Sequence, residues 1–158
     1  MNNMVIVTFL AAFVSSAIFA FMTIYTNMKN EKERFDLQLQ NISSYSIKYP
    51  YLGQRTFADT WDPSLVNNDE KYQRYEAYCI MIFNFIYDVY VWKKHKRRKV
   101  ENYIGIRSWL EKHKKYWNNP PINSENNVYG DDFKKFVGIY ITNENEIMQG
   151  CQLTNKEG

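Results

Sequence analysis

The sequence predicts an all-α protein: one N-terminal transmembrane helix continuing into a stalk, then a small three- to four-helix bundle. Three observations predict it. Residues 4–26 contain no charge, glycine or proline. Residues 70–94 carry a dense apolar and aromatic stripe at helical spacing. No stretch alternates convincingly with period two, and only 6 Gly and 4 Pro punctuate 158 residues.

The anchor, residues 1–27, comes first. As a helix, residues 4–26 reach roughly 35 Å, enough for a hydrocarbon layer of about 30 Å with some tilt. Ser15 and Ser16 can bond back to their own helix, and Ala11, Ala12 and Ala17 offer a small face. A cleaved secretory signal fits less well: Met1-Asn2-Asn3 lacks positive charge and the apolar run is too long. Lys29, Lys32 and Arg34 follow the span, whereas no Lys or Arg precedes it. The positive flank places the N-terminus outside and the C-terminal domain on the cytoplasmic side, or inside a virion's internal membrane. In that orientation the sequon Asn41-Ile42-Ser43 goes unused.

The stalk, residues 28–49, has no Gly or Pro, and Phe35, Leu39 and Ile42 recur at helical spacing. This stripe suits either a short coiled-coil seam or a face laid on the chain's own domain; two heptads do not decide. Tyr49-Pro50 ends the helix, because proline disfavours helical geometry in the residue before it. The connector, residues 50–69, holds Leu52, Phe57, Trp61 and Leu65 among turn residues, so it packs on the domain. A short helix is expected near residues 56–60, and Asp62-Pro63-Ser64 reads as a turn.

The bundle, residues 70–142, opens with a helix over residues 70–94 capped by Asn68 or Asp69. Tyr72, Tyr75, Cys79, Ile82, Phe83, Ile86, Val89 and Tyr90 form its main stripe. Tyr78, Ile80, Met81, Phe85 and Trp92 widen it until most of the circumference is apolar, as in a bundle centre. Its apolar part is too short, and too polar at Asn84 and Asp88, for a second span. A second helix is expected over residues 100–116, stopped by Asn118-Asn119-Pro120-Pro121. A polar loop leads to a last helix over residues 131–142, with Asp131 and Asp132 at its positive N-terminus and Phe133, Phe136, Val137, Tyr140 and Ile141 facing inward. Residues 143–158 form a polar tail in which Ile147 and Met148 can dock.

Composition restricts the chemistry. Aromatic residues make up 17%, with 13 Tyr, 10 Phe and 4 Trp, and large rings suit a small core. The abundance of Asn, Lys, Ile, Tyr and Phe follows AT-rich codons, as in many viruses and some bacteria. The two cysteines, Cys79 in an apolar run and Cys151 in the tail, make no disulfide framework. His95 and His113 lie among lysines, whose charge opposes a metal ion, and no CxxC, HxxxH or HExxH occurs; no metal or cofactor is expected. Neither GxSxG nor a phosphate-cradling glycine loop is present, so no catalytic residues are assigned and no enzyme is expected.

The strongest local feature is a basic run. Lys93, Lys94, Lys96, Arg97, Arg98 and Lys99 fall within seven residues, and Lys112, Lys114 and Lys115 add a second cluster. At a helix junction these would form one positive patch for an anionic partner: lipid headgroups, nucleic acid or an acidic protein surface. The plainer reading is a solvated helix end, where Lys and Arg are favoured anyway. Headgroup contact requires the junction to face the bilayer.

The pattern resembles a loose group of single-pass, membrane-anchored helical proteins of bacteria, phages and large DNA viruses of algae. One branch carries the name phage abortive infection protein. The likeness rests on the N-terminal span, Tyr49-Pro50-Tyr51-Leu52, and the block from Tyr75-Glu76-Ala77-Tyr78-Cys79 through Phe83-Asn84-Phe85. It continues with Ile106-Arg107-Ser108-Trp109, residues 113–117, and Tyr129 with Phe133 and Phe136. These apolar and aromatic positions imply a fold and supply no catalytic residues.

The function expected is therefore a membrane-anchored structural or interaction protein without catalysis. Its concrete form is a minor virion component linking an internal membrane to capsid or nucleoprotein. Alternatives are a bacterial or phage abortive-infection or regulatory protein, and a tethered binder of nucleic acid or anionic surfaces through residues 93–99. The partners expected are the lipid bilayer and other proteins, with a homo-oligomer open and nucleic acid less favoured.

Overall fold

A computed structural model of the chain describes residues 2–103, 105–121 and 128–141, with side chains from residue 12 onward. Among the described residues every regular element is helical, and no strand occurs. The chain divides into two compact units, Met1–Gln40 and Asn41–Gly158.

Helix α1, Asn2–Lys48, begins in the first unit and delivers its residues 41–48 to the second. Within the first unit Phe13, Phe19, Phe21, Met22 and Tyr25 are each 64–75% exposed. Ser16 and Thr23 return their hydroxyls to the carbonyls of Phe13 and Phe19, which removes two polar groups from the apolar surface. Among the described residues no helix is long and apolar enough to cross a membrane. The side chains of residues 4–11, the first part of the uncharged run, lie outside the described residues.

The second unit is organised by α3, Glu70–Trp92. Of the two expected caps Asp69 does the work: its carboxylate accepts from the Lys71 amide at 2.7 Å. Tyr75, Tyr78, Cys79, Ile82, Phe83, Phe85, Ile86, Val89 and Tyr90 are buried, covering more than one face, as a central helix requires. Ile80, Met81 and Trp92 are half-buried. The end of α1 packs along α3. Tyr45 stacks on Tyr78 at 6.4 Å, and one turn further on Tyr49 lies under the Arg74 guanidinium at 4.6 Å. Numbers rise on one segment as they fall on the other, so the two run antiparallel. Ile42 is buried here, on the chain's own domain.

The connector behaves as its apolar residues require. A 3-10 turn, Pro50–Gly53, leads to the single-turn α2, Arg55–Ala58, and a second 3-10 turn, Pro63–Leu65, is capped by the Asp62 carboxylate. Leu52 and Trp61 are buried, and the Trp61 indole donates to the Asn119 carbonyl at 2.9 Å. Leu65 is exposed.

The single helix expected over residues 100–116 is a correction. It is three pieces: α4, Arg97–Glu101; α5, Ile106–Lys112; and α6, Lys114–Asn118. Gly105, a poor helix former, precedes α5, and His113 stands between α5 and α6 with its ring turned into the core. The last helix, α7, is Asp131–Ile141, with Phe133, Phe136, Val137, Tyr140 and Ile141 buried as expected. Ile104, most of the polar loop (122–127) and the tail with Ile147, Met148 and Cys151 lie outside the described residues.

Candidate functional site

The basic run covers the turn between α3 and α4, residues 93–96, and the first residues of α4, Arg97, Arg98 and Lys99. Two amides close the end of α3: Lys94 N donates to the Val91 carbonyl and His95 N reaches back to the Tyr90 carbonyl, both at 2.9 Å. This is a Schellman-type stop, which demands a left-handed residue after the helix and normally takes glycine there. Here Lys94 and His95 occupy it with φ of 54° and 59°. A side chain in that region costs of order 1 kcal/mol.

Aromatic contacts hold the strained turn. The His95 imidazole lies parallel to the Tyr90 ring, with centroids 4.7 Å apart. The Lys93 ammonium sits 3.4 Å from the centre of the Trp92 ring and 5.0 Å from that of Tyr103. Burial, and secondarily the Lys99 charge, lower the Lys93 pKa from its ordinary value.

The basic residues then separate by role. Arg97 Nε donates to Glu101 Oε1 at 3.0 Å and to the Tyr140 hydroxyl at 3.2 Å, and the Tyr140 hydroxyl donates to the same carboxylate. That group ties α4 to α7. The bonds from Tyr140 and then Arg97 hold the Glu101 carboxyl below its usual range. Lys94, Lys96, Arg98 and Lys99 are exposed and have no ion pair among the described residues. They are the outward-facing cations of the turn.

The second basic cluster stands elsewhere. His113, beside Lys112, meets Tyr75 and Cys79, whereas the basic turn follows Trp92. The two levels are roughly 20 Å apart along α3 at 1.5 Å per residue. Lys112 and Lys114 are half-buried, and Lys115 donates to the Asp59 carbonyl at 2.9 Å, pinning α6 to the connector.

The histidines and cysteines looked unclustered in sequence, and the fold corrects this for one pair. His113 is 1% exposed, its Nδ1 lies 2.8 Å from the Tyr75 hydroxyl, and the Cys79 sulfur is 3.8 Å away. Burial, and then the Lys112 charge, push the imidazole down to about 3, so it is neutral at physiological pH. Burial raises Tyr75 and Cys79 well above their ordinary values. Both neighbours are therefore protonated donors, which suits an Nδ1 that accepts. Rings of Tyr78, Trp61 and Tyr116 close around this group. The position had a signal: Ile106, Leu110 and His113 share one helical face, and all three are buried. Among the described residues no three potential metal ligands come together.

A cavity of about 350 Å³ opens beside the basic turn, between His95, Tyr90 and the start of α7 at Asp131 and Asp132. Its carboxylates give it no excess positive charge, so the anionic-partner surface is the outer side of the turn. No protein-family model, curated protein or solved structure matches the chain.

Proposed function

We propose that this chain is a non-enzymatic, membrane-tethered interaction protein whose N-terminal helix lodges in lipid and holds the aromatic second unit at the membrane surface. The observation that carries the reading is the side chains of α1. Bulky apolar groups at Phe13, Val14, Ile18, Phe19, Phe21, Met22 and Ile24 are exposed over about two-thirds of the circumference at 100° per residue, in a run without a charge from residue 4 to residue 26. In water such a surface costs about 25 cal/mol per Å² of apolar area, and lipid removes that cost.

Lys29, Lys32 and Arg34 on the C-terminal flank favour the second unit on the cytoplasmic side. A surface held at the bilayer meets other membrane-bound partners at raised effective concentration, so modest contacts suffice. The likeness to viral and phage chains supports a minor virion component as one concrete form. Mass spectrometry of purified particles tests that form directly.

Alkaline carbonate extraction tests the anchor. The full chain is expected in the membrane pellet. Ile18→Lys with Phe19→Lys is expected to release it, since each lysine at mid-span costs about 3 kcal/mol. Wild-type chain in the supernatant ends the tethering account.

A further inference from the structure

The geometry points to a second membrane contact: the basic run at residues 93–99, the α3–α4 turn with the start of α4, docks on anionic lipid headgroups. This rests on the tethering reading and adds to it the partner of the basic turn.

Within the second unit, residues 41–48 of α1 run antiparallel to α3, as the pairs Tyr45 with Tyr78 and Tyr49 with Arg74 show. The Asn41 end of that segment therefore points the same way as the C-terminus of α3, which carries the turn. From Tyr78 to Trp92 α3 advances roughly 21 Å, and from Tyr45 back to Asn41 α1 advances roughly 6 Å. The basic turn thus projects about 15 Å beyond the place where the tethering chain joins the unit. Residues 27–40 are the only chain between that place and the uncharged run, and they are helical. Fourteen helical residues span roughly 21 Å, so a chain lodged in lipid keeps the basic run within reach of headgroups, the anionic surface at the highest effective concentration.

Charge and shape agree. The carboxylates on the elements meeting here are Asp88, Glu101, Asp131 and Asp132, fewer than the six cations of the run, and Glu101 is already joined to Arg97. Lys94, Lys96, Arg98 and Lys99 face outward. The Trp92 and Tyr103 rings under Lys93 are amphipathic groups of the kind enriched at the headgroup level. The left-handed backbone at Lys94 also fits, because a turn that only ended a helix would relax with glycine there.

Hydrogen exchange of the full chain in nanodiscs tests this. One set of discs is phosphatidylcholine alone; the other is phosphatidylcholine and phosphatidylserine in equal parts. Amides of residues 93–99 are expected to exchange more slowly on the anionic discs only. Salt should remove the difference. Each exposed cation strengthens docking by about fivefold, so Lys96→Glu with Arg98→Glu and Lys99→Glu should abolish the slowing while the chain still co-elutes with the discs. Co-elution reads the anchor and slowing reads the turn, so the two failures are distinguishable. Equal exchange on both discs overturns the proposal. So does slowing by a DNA duplex on phosphatidylcholine discs without any phosphatidylserine effect, which assigns the turn to nucleic acid. A chain that refuses the discs is sedimented with phosphatidylserine vesicles instead, and failure to pellet overturns the proposal as well.

Discussion

Replacing His113 with Asn makes the sharpest test of the core. Asn keeps an acceptor near the place of Nδ1 and removes the titrating ring. His113 has an ordinary value of 6.5 and sits at about 3 in the fold. Between those values the unfolded chain binds a proton that the folded chain refuses, so stability rises with pH. The contribution is fully present above pH 6.5 and is lost as pH falls toward 3. Linkage gives a loss of about 2 kcal/mol between pH 7.5 and pH 5 from this group alone. His113→Asn costs about 1–3 kcal/mol at pH 7.5, since the Tyr75 hydroxyl and Cys79 thiol lose their fitted partner. The variant should then lose less stability on acidification, and its curve should close on that of the wild type near pH 5. Urea unfolding of the detergent-solubilised chain, followed by tryptophan fluorescence across that range, reads both curves. Carboxylates titrate in both proteins, so their difference isolates His113. Parallel curves would refute the buried, neutral imidazole.

Two further outcomes test separate parts of the unit. Lys94→Gly relieves the left-handed backbone and should raise the unfolding free energy by roughly 0.5–1 kcal/mol, after allowing for the freer unfolded chain, while weakening attachment to anionic vesicles. Asp69→Ala removes the cap from α3 and should cost about 1 kcal/mol in the same assay, with Asp69→Asn restoring most of it.

The helices with strong periodicity were legible in the sequence, and their interruptions were not. The α3 stripe, its start after Asn68 or Asp69 and the buried face of α7 follow from spacing and from acidic residues at a helix N-terminus, and the structure chooses Asp69 as the cap. The break of residues 97–118 into three pieces was hidden because His113 looks like one more polar residue among lysines. Its spacing from Ile106 and Leu110 was the one local mark of burial, and the contact with Tyr75 across 38 positions left none. The basic run was plain in sequence, yet its division into roles was not. Arg97 faces Tyr140 through the packing of α4 near α7, and Lys93 folds onto Trp92, so tertiary contacts decide which cations remain outward.

That division bears on why the turn has the residues it has. Holding Lys94 and His95 left-handed needs compensation, and the neighbours supply it: His95 stacks on Tyr90, Lys93 covers Trp92, and the two helix-ending amide bonds close beneath them. Positions 93, 95 and 97 thus carry the shape, whereas 94, 96, 98 and 99 carry charge into solvent. Stability alone would not choose this arrangement, since glycine at 94 satisfies the same backbone bonds without strain. A selected anionic contact would choose it, because the stacked residues fix the direction in which the free cations point. Charge reversal at the outward set should therefore leave the fold unchanged, whereas His95→Ala should loosen the turn and weaken the contact with every cation still present. A loss of binding in the first case only would mean that the charges act without the shape.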